Sequence, residues 1–231
     1  MAERDGVGPG SAGDRATAAE RREGEAEIVG ALCLGLLRSF EAGARGAGLA
    51  PSIALAERQS AFAAEEFDRF LILRERLDEL SEDPGHALTA LAGPMTAFYT
   101  ASRPGDWLEA QVFQFVGDTL TTDFADILAS RLDDRTAAAV RRALTGRTAQ
   151  EAFALDQIRQ ALEADPDASG RVAKFTGAMI GAAMGRLRDA LLSSDALELV
   201  LGEGGVKECV LELLGRHRER LERLGVDELD D

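Results

Sequence analysis

The chain reads as an all-α protein, a four-helix bundle with additional helices at its C-terminal end. Three observations carry that reading. Only six of its 231 residues are proline, and the strong helix formers Ala, Leu, Arg and Glu outnumber the β-branched residues. Large apolar side chains recur at spacings of three, four and seven over long stretches, with no stretch of strand-like alternation. One connection, between the second and third long helices, is much longer than the others.

Helical periodicity begins near Glu25. Leu32, Leu36, Leu37 and Phe40 form its first stripe, and "GARGAGLAPS" ends it. The preceding residues 1–24 are polar and glycine-rich and are expected to be a disordered tail. Pro51 is expected in the first turn of the second helix, which runs to about Leu80 on Phe62, Phe70, Leu73 and Leu77. "SEDPGH" breaks it, and residues 87–105 form a connection with one short helical piece. Asp106 suits an N-cap, with Glu109 three residues on as in a capping box. The third helix then runs from Trp107 to about Arg131. A fourth is expected over 136–164, a fifth over 170–193, and a sixth, broken at "GEGG", over 195–224. The helical domain thus covers 25–225 and leaves a short acidic tail, 226–231. Long helices with one extended crossover suit a ferritin-like four-helix bundle.

The fifth helix holds "GAMIGAAMG", with Gly177, Gly181 and Gly185 four apart. Small residues at that spacing let another helix approach closely, within the chain or in a homodimer.

Composition narrows the function classes. The formal net charge of -15 repels phosphate backbones, so nucleic-acid binding is not expected from the chain as a whole. The one basic stretch, "GRHRERLERLG" at 215–225, reads as a solvated amphipathic helix. No uncharged apolar run reaches the roughly 18 residues of a membrane span. The first 24 residues lack the apolar core of a signal peptide. Cys33 and Cys209 sit in apolar helical contexts, as buried thiols in a reducing compartment do. The expected location is cytoplasmic.

Several polar residues fall on the inward stripes. Glu66 lies four residues from both Phe62 and Phe70, and Arg69 lies four before Leu73. Asp118 and Thr122 share a stripe with Leu108, Phe115 and Ala125, and Arg147 and Gln150 share one with Ala143 and Ala154. Buried charge has to be paired or bound to metal.

At these positions the chain resembles a known family. "DWLEAQVFQFVGDTLTTDF" (106–124), with "AEEFDRFLILRERLDEL" (64–80), "FALDQIRQALEADP" (153–166) and "RHRERLERLG" (216–225), is similar to bacterial ferritin-like proteins related to the tRNA-modifying hydroxylases of isopentenyl-type adenosines. The resemblance covers roughly 28–225. It implies a ferritin-like bundle and, in the hydroxylases, a non-haem di-iron centre held by about four carboxylates and two histidines. Here the implied ligand positions fall on Leu36, Glu66, Arg69, Asp118, Arg147 and Gln150. Two carboxylates remain, and both histidine positions are gone. The chain has only His86, in a connection, and His217, in the final helix. A guanidinium cannot ligate iron and is always charged. Arg69 and Arg147 are therefore expected to take the metal's electrostatic place in a buried ion-pair network with Glu66 and Asp118.

The leading expectation is a non-catalytic structural or binding protein with no cofactor and no catalytic residues. Two alternatives stay open. One is an active hydroxylase or oxygenase holding two iron ions through Glu65, Glu66, Asp118, Asp123 and Glu151. The other is a small-molecule binding module that uses the bundle interior. Trp107 is read as a packing anchor at a helix start.

Overall fold

The computed structural model describes residues 17–224. Helix α1 spans Ala18–Ala47. Thr17 caps it: its hydroxyl accepts from the Glu20 backbone N–H, and the Glu20 carboxylate accepts from the Thr17 N–H at 2.7 Å. This corrects the expected tail, since residues 18–24 belong to α1 and Thr17 caps it. The signal was in the sequence as Thr-x-x-Glu, a capping box ahead of an apolar run. Residues 1–16 lie outside the described residues, as does the tail at 226–231.

Helix α2, Ile53–Leu80, starts on Ser52, whose hydroxyl accepts from Leu55 at 3.3 Å. Pro51 precedes the cap and is not in the first turn. The long connection holds two short helices, α3 (Pro84–Thr89) and α4 (Ala92–Ala101), where one was expected. Where α3 crosses α1, Gly30 faces its backbone: a Cβ on Gly30 would come within 2.1 Å of the Ala87 carbonyl oxygen.

The third long helix is not uniform. It starts as α5, Trp107–Val112, capped by Asp106, which accepts from the Glu109 N–H at 3.0 Å. The Glu109 carboxylate reaches back to Gly105 N–H at 2.7 Å, one residue before the cap, so the expected box is displaced by one. Residues Phe113–Gly117 form a π turn, and α6 continues over Asp118–Ala129. The fourth helix is two pieces, α7 (Asp134–Leu144) and α8 (Thr148–Ala164). The break falls at Gly146, whose φ of 84° lies in the left-handed region that glycine adopts without strain. Then come α9 (Ala168–Ser193), α10 (Ala196–Leu201) and α11 (Gly205–Leu224). No strand occurs among the described residues, and no helix there is long and apolar enough to cross a membrane.

Helices α1 and α2 pack along their lengths, and the α5–α6 and α7–α8 rods complete a four-helix bundle. Its apolar core is in two clusters. One gathers Ile28, Val29, Leu32, Leu36, Leu73, Leu77, Leu128 and Val140. The other gathers Tyr99, Val112, Phe113, Phe115, Ala154, Ile158 and Met179. Along the α5–α6 and α7–α8 rods the polar residues singled out above fall between them. Asp118, for example, lies between Phe115 of one cluster and Ala125 of the other.

The glycine stripe does not seat a helix of this chain. A Cβ on Gly177, Gly181 or Gly185 would meet nothing within 4 Å. Packing within the chain is therefore not its role among the described residues.

Candidate functional site

Between the two apolar clusters lies a layer of buried charge. Glu66, in the middle of α2, is 1% exposed. One of its oxygens accepts from Arg69 Nη1 at 3.0 Å, three residues along the same helix. The other accepts from Arg147 Nη2 across the bundle. Arg69 is buried and uses its second terminal nitrogen on Glu65 at 3.1 Å. Arg147 Nη1 donates to the Thr122 hydroxyl and, at 3.3 Å, to the Asp118 backbone carbonyl.

The local chain path explains how Arg147 gets there. It stands just before α8, directly after the Gly146 turn. In an unbroken helix over 136–164 it would share one stripe with Ala143 and Gln150. The break instead places it at a helix start beside α6.

Asp118 departs from the expected ion pair. Its carboxylate is bonded to Ser39, at 2.7 Å, and to no arginine. The Ser39 hydroxyl lies 2.9 Å from the Tyr99 hydroxyl, which donates to the Gly35 carbonyl at 3.1 Å. Ser39 donates to the Asp118 carboxylate and Tyr99 to the Gly35 carbonyl, and the Ser39–Tyr99 contact links the two bonds into one buried chain. Burial pushes the Asp118 carboxyl up to about 7, with the negative charge of Glu66 adding to the rise and Arg147 opposing it. Burial likewise lifts the Tyr99 hydroxyl well above its usual range. The expected neutralisation of Asp118 by arginine is thus replaced by a hydroxyl chain.

Ser39 and Tyr99 were not singled out in the sequence. Leu36, the first-helix position implied by the resemblance, belongs to an apolar cluster, and Ser39 delivers that helix's polar atom three residues on. Ser39 was findable as a hydroxyl on the inward side of a Leu stripe. Tyr99 came from a connection with no strong periodicity.

On the other side of Asp118 is a polar cavity of about 80 Å³, lined by Gln114, Thr122, Arg147, Gln150 and Arg220. The side-chain oxygens of Gln114 and Gln150 are buried without a protein partner, as are Nε of Arg147 and of Arg220. A cavity of that size and polarity has room for a few waters that would satisfy them.

The alternative ligand set does not converge. Glu65 is half exposed and held by Arg69. Asp123 accepts from Arg220 at 2.9 Å and lies 3.6 Å from Arg216. Glu151 accepts from Arg223 at 2.6 Å. Each of these acids is paired with a guanidinium. No group of three or more His, Cys, Asp or Glu is placed to hold a metal among the described residues. His217 is buried on α11 and His86 is exposed on α3. Two irons need acids and imidazoles converging on one point, and here the two central acids share their layer with two cations. The residues do not fit a di-iron centre.

Three arginines of the basic stretch on α11 pair with acids of this chain. Arg216 reaches Asp126 at 3.0 Å and Glu212 at 2.6 Å, Arg220 takes Asp123, and Arg223 takes Glu151. Trp107 stands edge-on to Phe153 with centroids 6.2 Å apart, and its N–H donates to Gln157 at 3.4 Å, as a packing anchor does.

Four long helical rods, an extended crossover between the second and third, and a polar layer at mid-bundle define a ferritin-like protein. The chain belongs to the family described as ferritin-like domain, actinomycetes, which matches residues 19–204. No curated protein matches it.

Proposed function

We propose that this chain is a non-catalytic ferritin-like binding or structural protein, related to the tRNA-modifying hydroxylases, in which charge pairing holds the bundle centre where those relatives hold iron. The observation that carries the reading is the double engagement of Glu66: one carboxylate oxygen faces Arg69 and the other Arg147. A metal bound at Glu66 would have to displace two guanidiniums that stay charged at every accessible pH. It would also gain no imidazole in return. The positive charge these side chains bring is of the kind a divalent ion supplies, so the buried Glu66 side chain has its charge partners without one.

Direct metal analysis tests this. The full chain is expressed in iron-supplemented medium, purified without chelator and assayed for iron and manganese by mass spectrometry. The expected result is far less than one metal per chain and no visible absorption after reduction and exposure to oxygen. Stoichiometric iron with an oxygen-linked absorption band would overturn the reading.

A further inference from the structure

Helix α9 is buried over only its first half. Ala168, Val172, Thr176 and Met179 are enclosed, and none of residues 180–193 is. Beneath that second half lies an apolar chamber of about 160 Å³ between α4, α6 and α9, walled by Met95, Phe98, Phe124, Met184 and Leu187. Interiors are close-packed, with few voids larger than a water. The chamber is open to solvent on one side, and its volume matches that of apolar cavities that accept small organic guests. Methionines on two facing helices give it walls that adapt to a guest's shape.

Its lining has one ionisable side chain, Arg186. Nη1 of Arg186 is held by Asp189 at 2.8 Å. Its Nε is buried and has no acceptor. A neutral guest would leave that donor unsatisfied, at the cost a buried polar group carries. A guest with an apolar tail and a carboxylate would fill the chamber and supply the acceptor. We propose that this chamber binds a medium-chain carboxylate, tail inward among Met95, Phe124 and Met184, carboxylate on Arg186. No lining residue belongs to the Glu66 ion-pair layer, so the proposal goes beyond the metal reading and stands or falls separately from it.

Calorimetric titration of the full chain with octanoate and with 1-octanol tests it. Octanoate is expected to bind once per chain and more tightly than 1-octanol. Arg186→Gln should weaken octanoate roughly tenfold, the effect of one charge-assisted hydrogen bond, and leave 1-octanol unchanged. Ala183→Phe, which fills the chamber, should abolish both. Ala190→Leu serves as a second, milder filling variant, and each variant is first checked for cooperative thermal unfolding. Absence of octanoate binding would overturn the proposal. So would equal binding of octanoate by Arg186→Gln, or binding that survives in folded filling variants.

Discussion

Arg147 donates to Glu66 across 81 positions of sequence, from the break between α7 and α8 to the middle of α2. With Arg69 on the other oxygen, the Glu66 carboxylate joins two helical rods and lies inaccessible to solvent.

Breaking that junction from the acid side leaves two guanidiniums buried without their shared partner. Glu66→Gln should destabilise the chain by roughly 3–5 kcal/mol, read from urea unfolding midpoints. Replacing Glu66, Arg69 and Arg147 together by Leu, Leu and Met should cost much less than the sum of the single changes. A near-neutral Glu66→Gln would show that the layer is hydrated rather than dry.

Asp118 sets a pH dependence of definite sign. Its carboxyl rises from 3.8 to about 7 on folding. Below pH 4 both states hold the proton. Between about 4 and 7 the folded chain keeps it longer, so stability falls as pH rises through that window and levels off above it. The contribution is on the order of 4 kcal/mol across the window. Asn at 118 is close in shape to Asp, can accept from Ser39 through its amide oxygen, and does not titrate. Asp118→Asn should therefore flatten the stability profile between pH 4 and 7, measured by urea unfolding at several pH values. An unchanged slope would place the titration elsewhere.

Two glycines have separate reasons to resist substitution. A Cβ on Gly30 would meet the Ala87 carbonyl oxygen at 2.1 Å, so Gly30→Ala must push α3 off α1. Its cost should exceed the roughly 1–3 kcal/mol of ordinary overpacking. Gly146→Ala meets no clash but forces a left-handed backbone, costing about 1–2 kcal/mol. Thermal unfolding of the two variants should rank them in that order.

Both thiols are enclosed. Burial pushes Cys33 up to about 12 and Cys209 up to about 11. At pH 8 the folded chain should take up iodoacetamide at both positions far more slowly than the urea-unfolded chain, by mass spectrometry. Rapid labelling of Cys33 under native conditions would mean that α1 opens locally.

The helices and their inward residues were legible because burial imposes a period of 3.6 and buried charge stands out against it. Glu66, Arg69, Asp118, Arg147 and Gln150 were all found that way, and all are buried or nearly so. What periodicity could not give was partner choice. The pairing of Asp118 with a serine depends on Ser39 and Tyr99, which arrive from α1 and from the connection. The split of the fourth helix was missed for a related reason. A single glycine with positive φ changes the chain's direction while leaving the apolar spacing on either side intact. The capping box at Thr17 was readable and fixes the start of α1 earlier than the hydrophobic pattern does.

The π turn at Phe113–Gly117 has a consequence for chain length. Asp118 N–H bonds the Phe113 carbonyl, five residues back, where an α turn spans four. The rod therefore carries one residue more than its rise requires. Deleting a single residue inside this turn should let it close as ordinary α-helix while α5 and α6 each keep the faces they present now. The same deletion in the unbroken α2 would rotate half that helix by about 100° and carry Glu66 out of its layer. The third rod is the place where this bundle tolerates a change of length.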